Sequence, residues 1–287
     1  MMPPMIMESI VLEVPDREAA ARYYHDVYGL YQFPGETEVL GRPAYWLGTL
    51  GHLGVRKEIA LVQGSSERPW RLLQMTYVTS DLKQLREMVL PRLQQRNIAF
   101  ENLGESFAVN DPDGNRVVLA HPSPSWPVME ARLERPFLLT KLSHVTLVSG
   151  DSAAASWFYR EILDFRIAEE TDGVFFWLGS SSDHHSLAIA PGRGTGVDHV
   201  AFELESWAEV KRLADHLADQ NVALEAGPGR HRVGGNIFIY THDLNGLRFE
   251  FLCEMREVVN PETAKVWPRG SRAITYNAWG IVPPENP

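Results

Sequence analysis

Cysteine is almost absent from this chain, and its scarcity excludes one class of protein at once. Cys253 is the single cysteine among 287 residues, so no intrachain disulfide framework can form. Long apolar runs are missing too, and without about 18 consecutive apolar residues we expect no membrane-spanning helix. Residues 1–14 lack a basic region followed by a long apolar core, so we expect no signal peptide. Together these absences predict a cytoplasmic protein that does not enter a membrane.

Positive charge is also in short supply. Lysine and arginine number 27 against 37 aspartates and glutamates, which gives a formal charge of −10. Binding to nucleic acid needs a basic patch, and none is visible, so we expect no nucleic-acid partner. A hydrophobic fraction of 44% is ordinary for a globular chain of this length. The remaining expectation is a small-molecule ligand and two domains of about 140 residues each.

What the sequence does contain is an internal repeat. Four segments recur in the same order, namely 9–30 with 143–165, 45–51 with 176–182, 72–85 with 197–210, and 110–120 with 241–251. Each pair shows an alternating strand pattern next to an amphipathic helix or a turn. We therefore predict an α+β fold of two homologous domains, each with two strand–helix–strand modules. The predicted boundaries are 1–122 for the first domain, a proline-rich linker at 123–139, and 140–287 for the second domain with its tail.

Comparison of the halves singles out three ligand-type residues in the second one. The alignment pairs His144 with Ile10, His199 with Gln74, and Glu250 with Val118. Strand alternation allows the three polar side chains to converge on the concave face of one sheet. Two imidazoles and one carboxylate leave coordination positions open, as in non-haem iron(II) oxygen chemistry, although zinc and manganese accept the same donors. The alternative is that Arg248, which shares a face with Glu250, forms an ion pair with it and no metal binds.

Four further residues form a second candidate set. His184 and His185 stand directly before a predicted strand, and His231 lies in a glycine-rich segment ahead of Tyr240. A histidine moves protons near neutral pH, and a tyrosine hydroxyl can bond a substrate oxygen. The alternative reading is structural, with the histidine pair at a solvated strand end and the tyrosine in packing.

These residues together resemble a known family, the type I extradiol ring-cleaving dioxygenases (catechol 2,3-dioxygenase-like) of the vicinal oxygen chelate, or glyoxalase/bleomycin resistance/dioxygenase, superfamily. The most specific block is 227–251, which is similar to the family signature, and 184–190 and 197–202 match two further blocks in the expected order. The resemblance implies paired βαβββ modules that form an incomplete barrel in each half. It also implies Fe(II), more rarely Mn(II), as the metal and O2 as co-substrate.

The resemblance also assigns roles to individual residues. It implies that His144, His199 and Glu250 bind the metal. It implies that His185 is the acid–base histidine and that His231 and Tyr240 contact the substrate. Trp177 resembles a substrate-pocket tryptophan, and a packing role is the alternative because Trp46 recurs at the same place in the first half. Thr146 stands where homoprotocatechuate enzymes have an asparagine.

The implied activity is the insertion of both atoms of O2 into a catechol, which opens the ring next to the diol and yields a hydroxymuconic-semialdehyde-type product. Such enzymes serve the catabolism of aromatic hydrocarbons and commonly form homo-oligomers. Two other functions fit the same scaffold, a glyoxalase-like metal isomerase and a non-catalytic small-molecule-binding protein. The aromatic tail at 260–280 either covers the pocket or packs against a neighbouring subunit.

Overall fold

The computed structural model describes residues 2–51, 54–65, 69–125, 136–258 and 264–280. The strands of the first half are β1 Ile6–Val14, β2 Tyr31–Gln32, β3 Thr37–Val39, β4 Arg42–Gly48, β5 Leu50–Gly51, β6 Gly54–Val55, β7 Ile59–Gln63, β8 Arg71–Val78, β9 Phe100–Leu103, β10 Ser106–Asn110 and β11 Arg116–Ala120. Those of the second half are β12 Leu139–Ser149, β13 Arg166–Thr171, β14 Phe175–Gly179, β15 Leu187–Pro191, β16 Gly196–Leu204, β17 Ala226–Arg230, β18 Ile237–His242, β19 Arg248–Cys253 and β20 Lys265–Trp267. The helices are α1 Arg17–Asp26, α2 Leu82–Gln95, α3 Ser152–Glu161, α4 Trp207–Asp219 and α5 Arg272–Tyr276.

Most strands build one large mixed sheet in each half, and β5 and β6 form a separate two-stranded sheet. The first has the order β2-β4-β7-β1-β8-β11-β10-β9 with β3 paired to β4, and the second has the order β17-β18-β19-β16-β12-β15-β14-β13-β20. In both sheets the long first strand pairs in parallel on one side and antiparallel on the other. The predicted α+β class with an incomplete barrel in each half is confirmed. The domain boundaries stay a prediction, because residues 126–135 of the proposed linker lie outside the described residues.

The helix starts show how closely the halves correspond. Asp16 caps α1 by accepting a hydrogen bond from the backbone N–H of Ala19 at 2.9 Å, and Asp151 caps α3 through Ala154 at 3.0 Å. An aspartate at this position satisfies one of the otherwise free N–H groups of the first turn. Because the two caps are equivalent, they fix the alignment of the strands that precede them.

That alignment corrects one expectation from the sequence. The counterpart of His144 is Ser9, not Ile10, since both lie seven residues before their helix cap. Ile10 corresponds instead to Val145, and the two pair in parallel with Ile59 and Leu187 at the starts of β7 and β15. Matching Ser9 with Ser143 had shifted the strand by one residue, which exchanges its two faces. The first half still has no ligand-type residue at this position.

The two halves share one apolar core, and side chains on or next to the first helix of each half contact the other half. The Tyr28 ring, just after α1, packs on Phe249 and Phe251 of β19 with ring centroids 4.8 and 5.0 Å apart. The hydroxyl of Tyr24 donates to Asp243 Oδ2 at 2.7 Å. This bond has a mirror image in the bond from Tyr159 on α3 to Asp111 of the first half at 2.8 Å. The halves therefore pack against each other around one core, and the opposite face of the second sheet is left for the site.

Within the described ranges, none of the helices combines the length and apolar character needed to cross a membrane.

Candidate metal centre

Three neighbouring strands place three ligand-type side chains at one point of the second sheet. His144 lies on β12, His199 on β16 and Glu250 on β19. In the register, His144 stands opposite Ala201, and Ala201 stands opposite Glu250. Because residues in register share a face, the small Ala201 side chain lies between the two ligands and leaves space above it. The alternating partners of this row face the core, as strand alternation predicted.

The three donor atoms are close enough to bind one ion. His144 Nε2 is 3.1 Å from His199 Nε2 and 3.3 Å from Glu250 Oε2, and His199 Nε2 is 3.1 Å from the same oxygen. Donors held about 2.1 Å from a metal along perpendicular directions lie about 3.0 Å apart. All three residues are buried, and they form a group that can hold a metal ion. The residues therefore fit a divalent metal bound through one face, with further coordination positions open to the pocket.

Asp198 determines which nitrogen of His199 is available. Its Oδ2 lies 2.6 Å from His199 Nδ1, so this nitrogen carries a hydrogen and Nε2 is the nitrogen that a metal at the centre would bind in place of a proton. Strand alternation alone would turn Asp198 away from His199. A β-bulge prevents this, because Thr146 pairs with His199 and the next residue of β12 pairs with Val197, leaving Asp198 as the extra residue.

Glu250 has two further hydrogen-bond donors. Asn236 Nδ2 donates to Oε1 at 2.9 Å, and the Tyr240 hydroxyl donates to Oε2 at 2.9 Å. Burial raises the pKa of Glu250, but hydrogen bonds from His144 and His199 outweigh burial and hold the pKa well below its usual range. The group is therefore a carboxylate and not a carboxylic acid, as a metal ligand must be.

The two histidine ligands respond differently to their surroundings. Burial lowers the pKa of His144. Burial also lowers the pKa of His199, but the hydrogen bonds to Asp198 and Glu250 outweigh it and the pKa is raised. A metal that binds His199 Nε2 thus competes with a proton, and binding is expected to weaken as the pH falls.

Arg248 does not pair with Glu250, so the metal-free alternative has no support here. Its guanidinium binds Asp198 at 3.0 Å and Glu225, and it lies 3.7 Å from the centroid of the Tyr240 ring. Burial raises the pKa of Tyr240 well above its usual range, with the Glu250 charge adding to the effect. The tyrosine hydroxyl therefore keeps its hydrogen and acts as a donor.

A cavity of about 520 Å³ opens in front of the three ligands. The sequence-predicted residues that border it are His144, Thr146, Trp177, His185, His199, His231, Tyr240 and Glu250. The structure thus brings together all of these residues, whereas His184 is buried and does not border the cavity. Trp177 stacks on Phe175 with ring centroids 4.1 Å apart, which places an aromatic surface on the side away from Tyr240. Thr146 Oγ1 lies 3.0 Å from His199 Nε2.

The second set of predicted residues lies on two sides of the centre. The His185 ring is 4.4 Å from the His144 ring, and its exposed fraction is 4%. His231 Nε2 is 3.1 Å from the Tyr240 hydroxyl, and its ring stacks on Phe238 at 3.9 Å. Neither histidine of the 184–185 pair is a solvated strand end, because both side chains are buried.

The corresponding place in the first sheet is filled. Gln74 Oε1 accepts from Arg116 Nε at 3.2 Å, and Arg116 also binds Glu101. Val11, Ala44, Ala60 and Val62 form a small apolar cluster next to them. In the first half, these side chains therefore occupy the place where the second half has its cavity.

Part of the C-terminal tail forms the outer wall of the cavity. Strand β20 extends the second sheet alongside β13. Helix α5 contributes Thr275 and Tyr276 to the lining, and the Tyr276 carbonyl accepts a hydrogen bond from His231 Nδ1. Residues 264–280 lie against their own chain over the pocket, as the first alternative for the tail predicts, and contact with a neighbouring subunit stays a prediction. Residues 260–263 fall outside the described part.

Several site residues could not be found from the sequence. Asp198 is adjacent to a ligand, but regular strand alternation would place its side chain on the opposite face. Asn236 and Glu169 carry no pattern, and only their contacts with Glu250 and His184 reveal them. The glycines that follow His231 do mark a turn, since Gly234 has φ +69°. Its close approach is to His184 rather than to a ligand.

Comparison with known protein families bears directly on the half of the chain that holds this centre. Residues 141–251 match the model of the Glyoxalase/Bleomycin resistance protein/Dioxygenase superfamily. This part of the chain is a domain of that superfamily. All three candidate ligands lie inside the matched range.

Individual relatives carry the names metapyrocatechase and extradiol dioxygenase, in agreement with the superfamily match. The chain is 29% identical over 197 residues to metapyrocatechase 2 of Cupriavidus necator, which covers 61% of this chain and 60% of that protein. It is 28% identical over 194 residues to an iron-dependent extradiol dioxygenase of Rhodococcus jostii (strain RHA1), with 60% and 62% covered. The matches thus span about three fifths of the length of these relatives.

Solved structures extend the likeness to both halves. A Mn(II)-bound glyoxalase from Novosphingobium aromaticivorans superimposes with a TM-score of 0.80 at 20% identity, covering 98% of this chain and 92% of that one. Homoprotocatechuate 2,3-dioxygenase from Arthrobacter globiformis gives a TM-score of 0.80 at 21% identity, with 97% and 88% covered. At these identities the likeness establishes a common fold, and the chemistry has to be argued from the site.

Proposed function

We propose that this protein is an extradiol dioxygenase that inserts both atoms of O2 into a catechol and opens the ring next to the diol, giving a hydroxymuconic-semialdehyde-type product. The observation that carries the proposal is the open face of two imidazoles and one carboxylate at the bottom of an aromatic-walled cavity. The names of the two relatives, a metapyrocatechase and an extradiol dioxygenase, support the same chemistry.

The metal in this proposal is Fe(II), held by His144, His199 and Glu250. When bound, it supplies the one-electron chemistry that lets O2 react with an aromatic ring. Mn(II) is the alternative metal, because the same donor types accept it and a manganese-dependent 2,3-dihydroxybiphenyl 1,2-dioxygenase of Geobacillus genomosp. 3 is among the relatives. Metal content of the purified protein decides between the two.

The side chains around the metal have distinct proposed tasks. His185 accepts a proton from a catechol hydroxyl and later returns one to the departing oxygen. Tyr240 and His231 hold a substrate oxygen, since the tyrosine keeps its hydrogen and the histidine lies 3.1 Å from it. Trp177 and Thr146 border the space that the ring would occupy. The tail over the cavity limits the entry of water.

The test is oxygen uptake after anaerobic reconstitution with Fe(II). A panel of single-ring and two-ring catechols should produce oxygen consumption and a yellow product with at least one member. His199→Ala should lose both bound iron and oxygen uptake. Gln74→Ala, at the equivalent position of the first half, is the matched control and should retain both.

The result also separates the competing functions. A glyoxalase-like isomerase would convert a hemithioacetal of glutathione without consuming oxygen, and a binding protein would retain a ligand unchanged. Full oxygen uptake by a metal-free His199→Ala protein would contradict the proposed metal centre. Two further predictions accompany the proposal: a homo-oligomer, to be checked by light scattering, and a cytoplasmic location, to be checked by cell fractionation.

A further inference from the structure

Glu169 is a buried carboxylate that has no task in the proposed reaction. It lies on β13 with 0% of its surface exposed. Its Oε1 accepts hydrogen bonds from Arg256 at 2.8 Å and from His184 Nε2 at 3.2 Å, and its Oε2 accepts one from Trp267. Burial raises the pKa of Glu169, but the bonds from His184 and Trp267 outweigh burial and hold the pKa below its ordinary value. The residue is therefore an ionised group that can only accept hydrogen bonds.

His184 connects this carboxylate to His185. Because Glu169 only accepts, His184 Nε2 carries a hydrogen. The other ring nitrogen, Nδ1, lies 3.0 Å from His185 Nδ1, and a bond at this distance needs one hydrogen between the two nitrogens. Burial lowers the pKa of His184, which favours its neutral form with a single ring hydrogen. His184 Nδ1 is then the acceptor, and His185 Nδ1 is the donor.

We infer that Glu169 and His184 are positioning residues that fix the tautomer of His185. They hold the hydrogen on its Nδ1, so that Nε2 is the ring nitrogen left to face the cavity as a proton acceptor. This inference rests on the proposed function only for the identity of the proton donor, a catechol hydroxyl. A carboxylate that sets the tautomer of a histidine through its second nitrogen is a common catalytic device, here extended by one more imidazole.

The first half provides an internal comparison. By the register of β7 and β15, the counterparts of His184 and His185 are Arg56 and Lys57, because Ile59 corresponds to Leu187. Trp46 of the first half corresponds to Trp177, and the residue beside Trp46 on the neighbouring segment is Phe33, whereas the residue beside Trp177 is Glu169. The scaffold therefore does not require a buried carboxylate and two imidazoles here. Among the residues that the structure describes, these three side chains stand beside the candidate centre and not at the corresponding positions of the first half.

The surrounding residues hold the chain of contacts rigidly. Gly234 lies close to the pair, since a Cβ there would lie 3.2 Å from His184 Nδ1 and would press against the ring. The Arg166 guanidinium binds the carbonyls of Ser181 and His184 at 3.0 and 3.1 Å and fixes the segment in front of β15. Trp267 belongs to β20, so the same tail that walls the cavity also holds Glu169 in place.

The direct test reads the tautomer by long-range 15N–1H NMR of the full-length protein labelled on histidine nitrogen, loaded with diamagnetic Zn2+. Wild type should show a hydrogen on His185 Nδ1 and none on Nε2. In Glu169→Gln, the amide can present its NH2 group to His184 Nε2. This makes that nitrogen the acceptor, moves the hydrogen to His184 Nδ1, and shifts His185 toward the Nε2–H form. Glu170→Gln, the neighbouring position on β13, is the matched control and should leave the spectrum unchanged.

Kinetics and a second pair of variants complete the test. With Fe(II) bound, Glu169→Gln should lower kcat about 10- to 100-fold while KM and iron content stay within about twofold. His184→Asn retains an oxygen that can accept from His185 Nδ1 and should keep more activity than His184→Leu. The inference is overturned if wild-type His185 carries its hydrogen on Nε2, or if Glu169→Gln leaves both the spectrum and kcat unchanged. A protein that cleaves no catechol would refute the proposed function, whereas the tautomer measurement would still decide this inference.

Discussion

The role of Asp198 can be tested by replacing it with asparagine. Asp198→Asn keeps the shape of the side chain but removes the charge that faces His199 Nδ1 at 2.6 Å. Burial raises the pKa of Asp198, but the bonds to His199 and Arg248 outweigh it and lower the pKa to about 2, so the wild-type group is fully charged at neutral pH. Such partners of a ligating histidine typically contribute 10- to 100-fold to metal affinity. We therefore expect the dissociation constant of the metal to rise by this factor, about 1.4–2.8 kcal/mol.

The assay is a competition titration with a chromophoric chelator under anaerobic conditions. Glu225→Gln is the matched control, because Glu225 binds the same Arg248 guanidinium but does not touch a ligand. The Asp198 side chain is 40% exposed, so we expect little change in the free energy of unfolding. If Asp198→Asn bound metal as tightly as wild type, or if both variants lost affinity equally, the tautomer argument for His199 would be wrong.

Three other changes test the fold and the centre. Ala201→Val should abolish metal binding without unfolding the protein, because the added methyl groups enter the space between His144 and Glu250; an atomic-absorption measurement that finds full metal content would contradict the register. Tyr24→Phe should lower the free energy of unfolding in urea by about 1–3 kcal/mol, since it leaves a buried carboxylate oxygen of Asp243 without its donor. An unchanged midpoint would count against this contact between the halves. Burial raises the pKa of Glu58 from 4.5 to about 7 although it accepts two backbone hydrogen bonds, one of them from the other half. The contribution of the protonated form to stability is therefore complete below pH 4.5 and is lost as the pH rises through 7. Between pH 5 and 8 the free energy of unfolding of wild type should fall by about 2–3 kcal/mol relative to that of Glu58→Gln. Parallel pH profiles of the two proteins would refute this prediction.

The duplication and strand alternation were enough to locate the centre. Side chains two residues apart on a strand share a face, and this local rule placed His144, His199 and Glu250 on the side of the sheet away from the core. Comparison of the halves then showed that the scaffold does not need these residue types. The residue pattern also marked His185, His231 and Tyr240 as candidates, the resemblance to extradiol dioxygenases gave them roles, and all three border the same cavity.

The same local rules failed where the backbone departs from regularity. The sequence pairs His144 with Ile10 because Ser9 and Ser143 match by residue type, whereas the helix caps and the strand register identify Ser9 as the counterpart. Asp198 reaches His199 because a β-bulge reverses its expected direction, and no sequence period announces a bulge.

What the sequence by itself determined is the repeated α+β pattern and the face on which each strand residue lies, because both depend on residues close together in the chain. Tertiary structure alone decided which distant groups meet there. Glu169 reaches His184 from another strand, Trp267 reaches Glu169 from the tail, and Tyr24 reaches Asp243 across 219 positions of the chain. Partners of this kind are selected by the packing of whole sheets and helices, which no local period encodes.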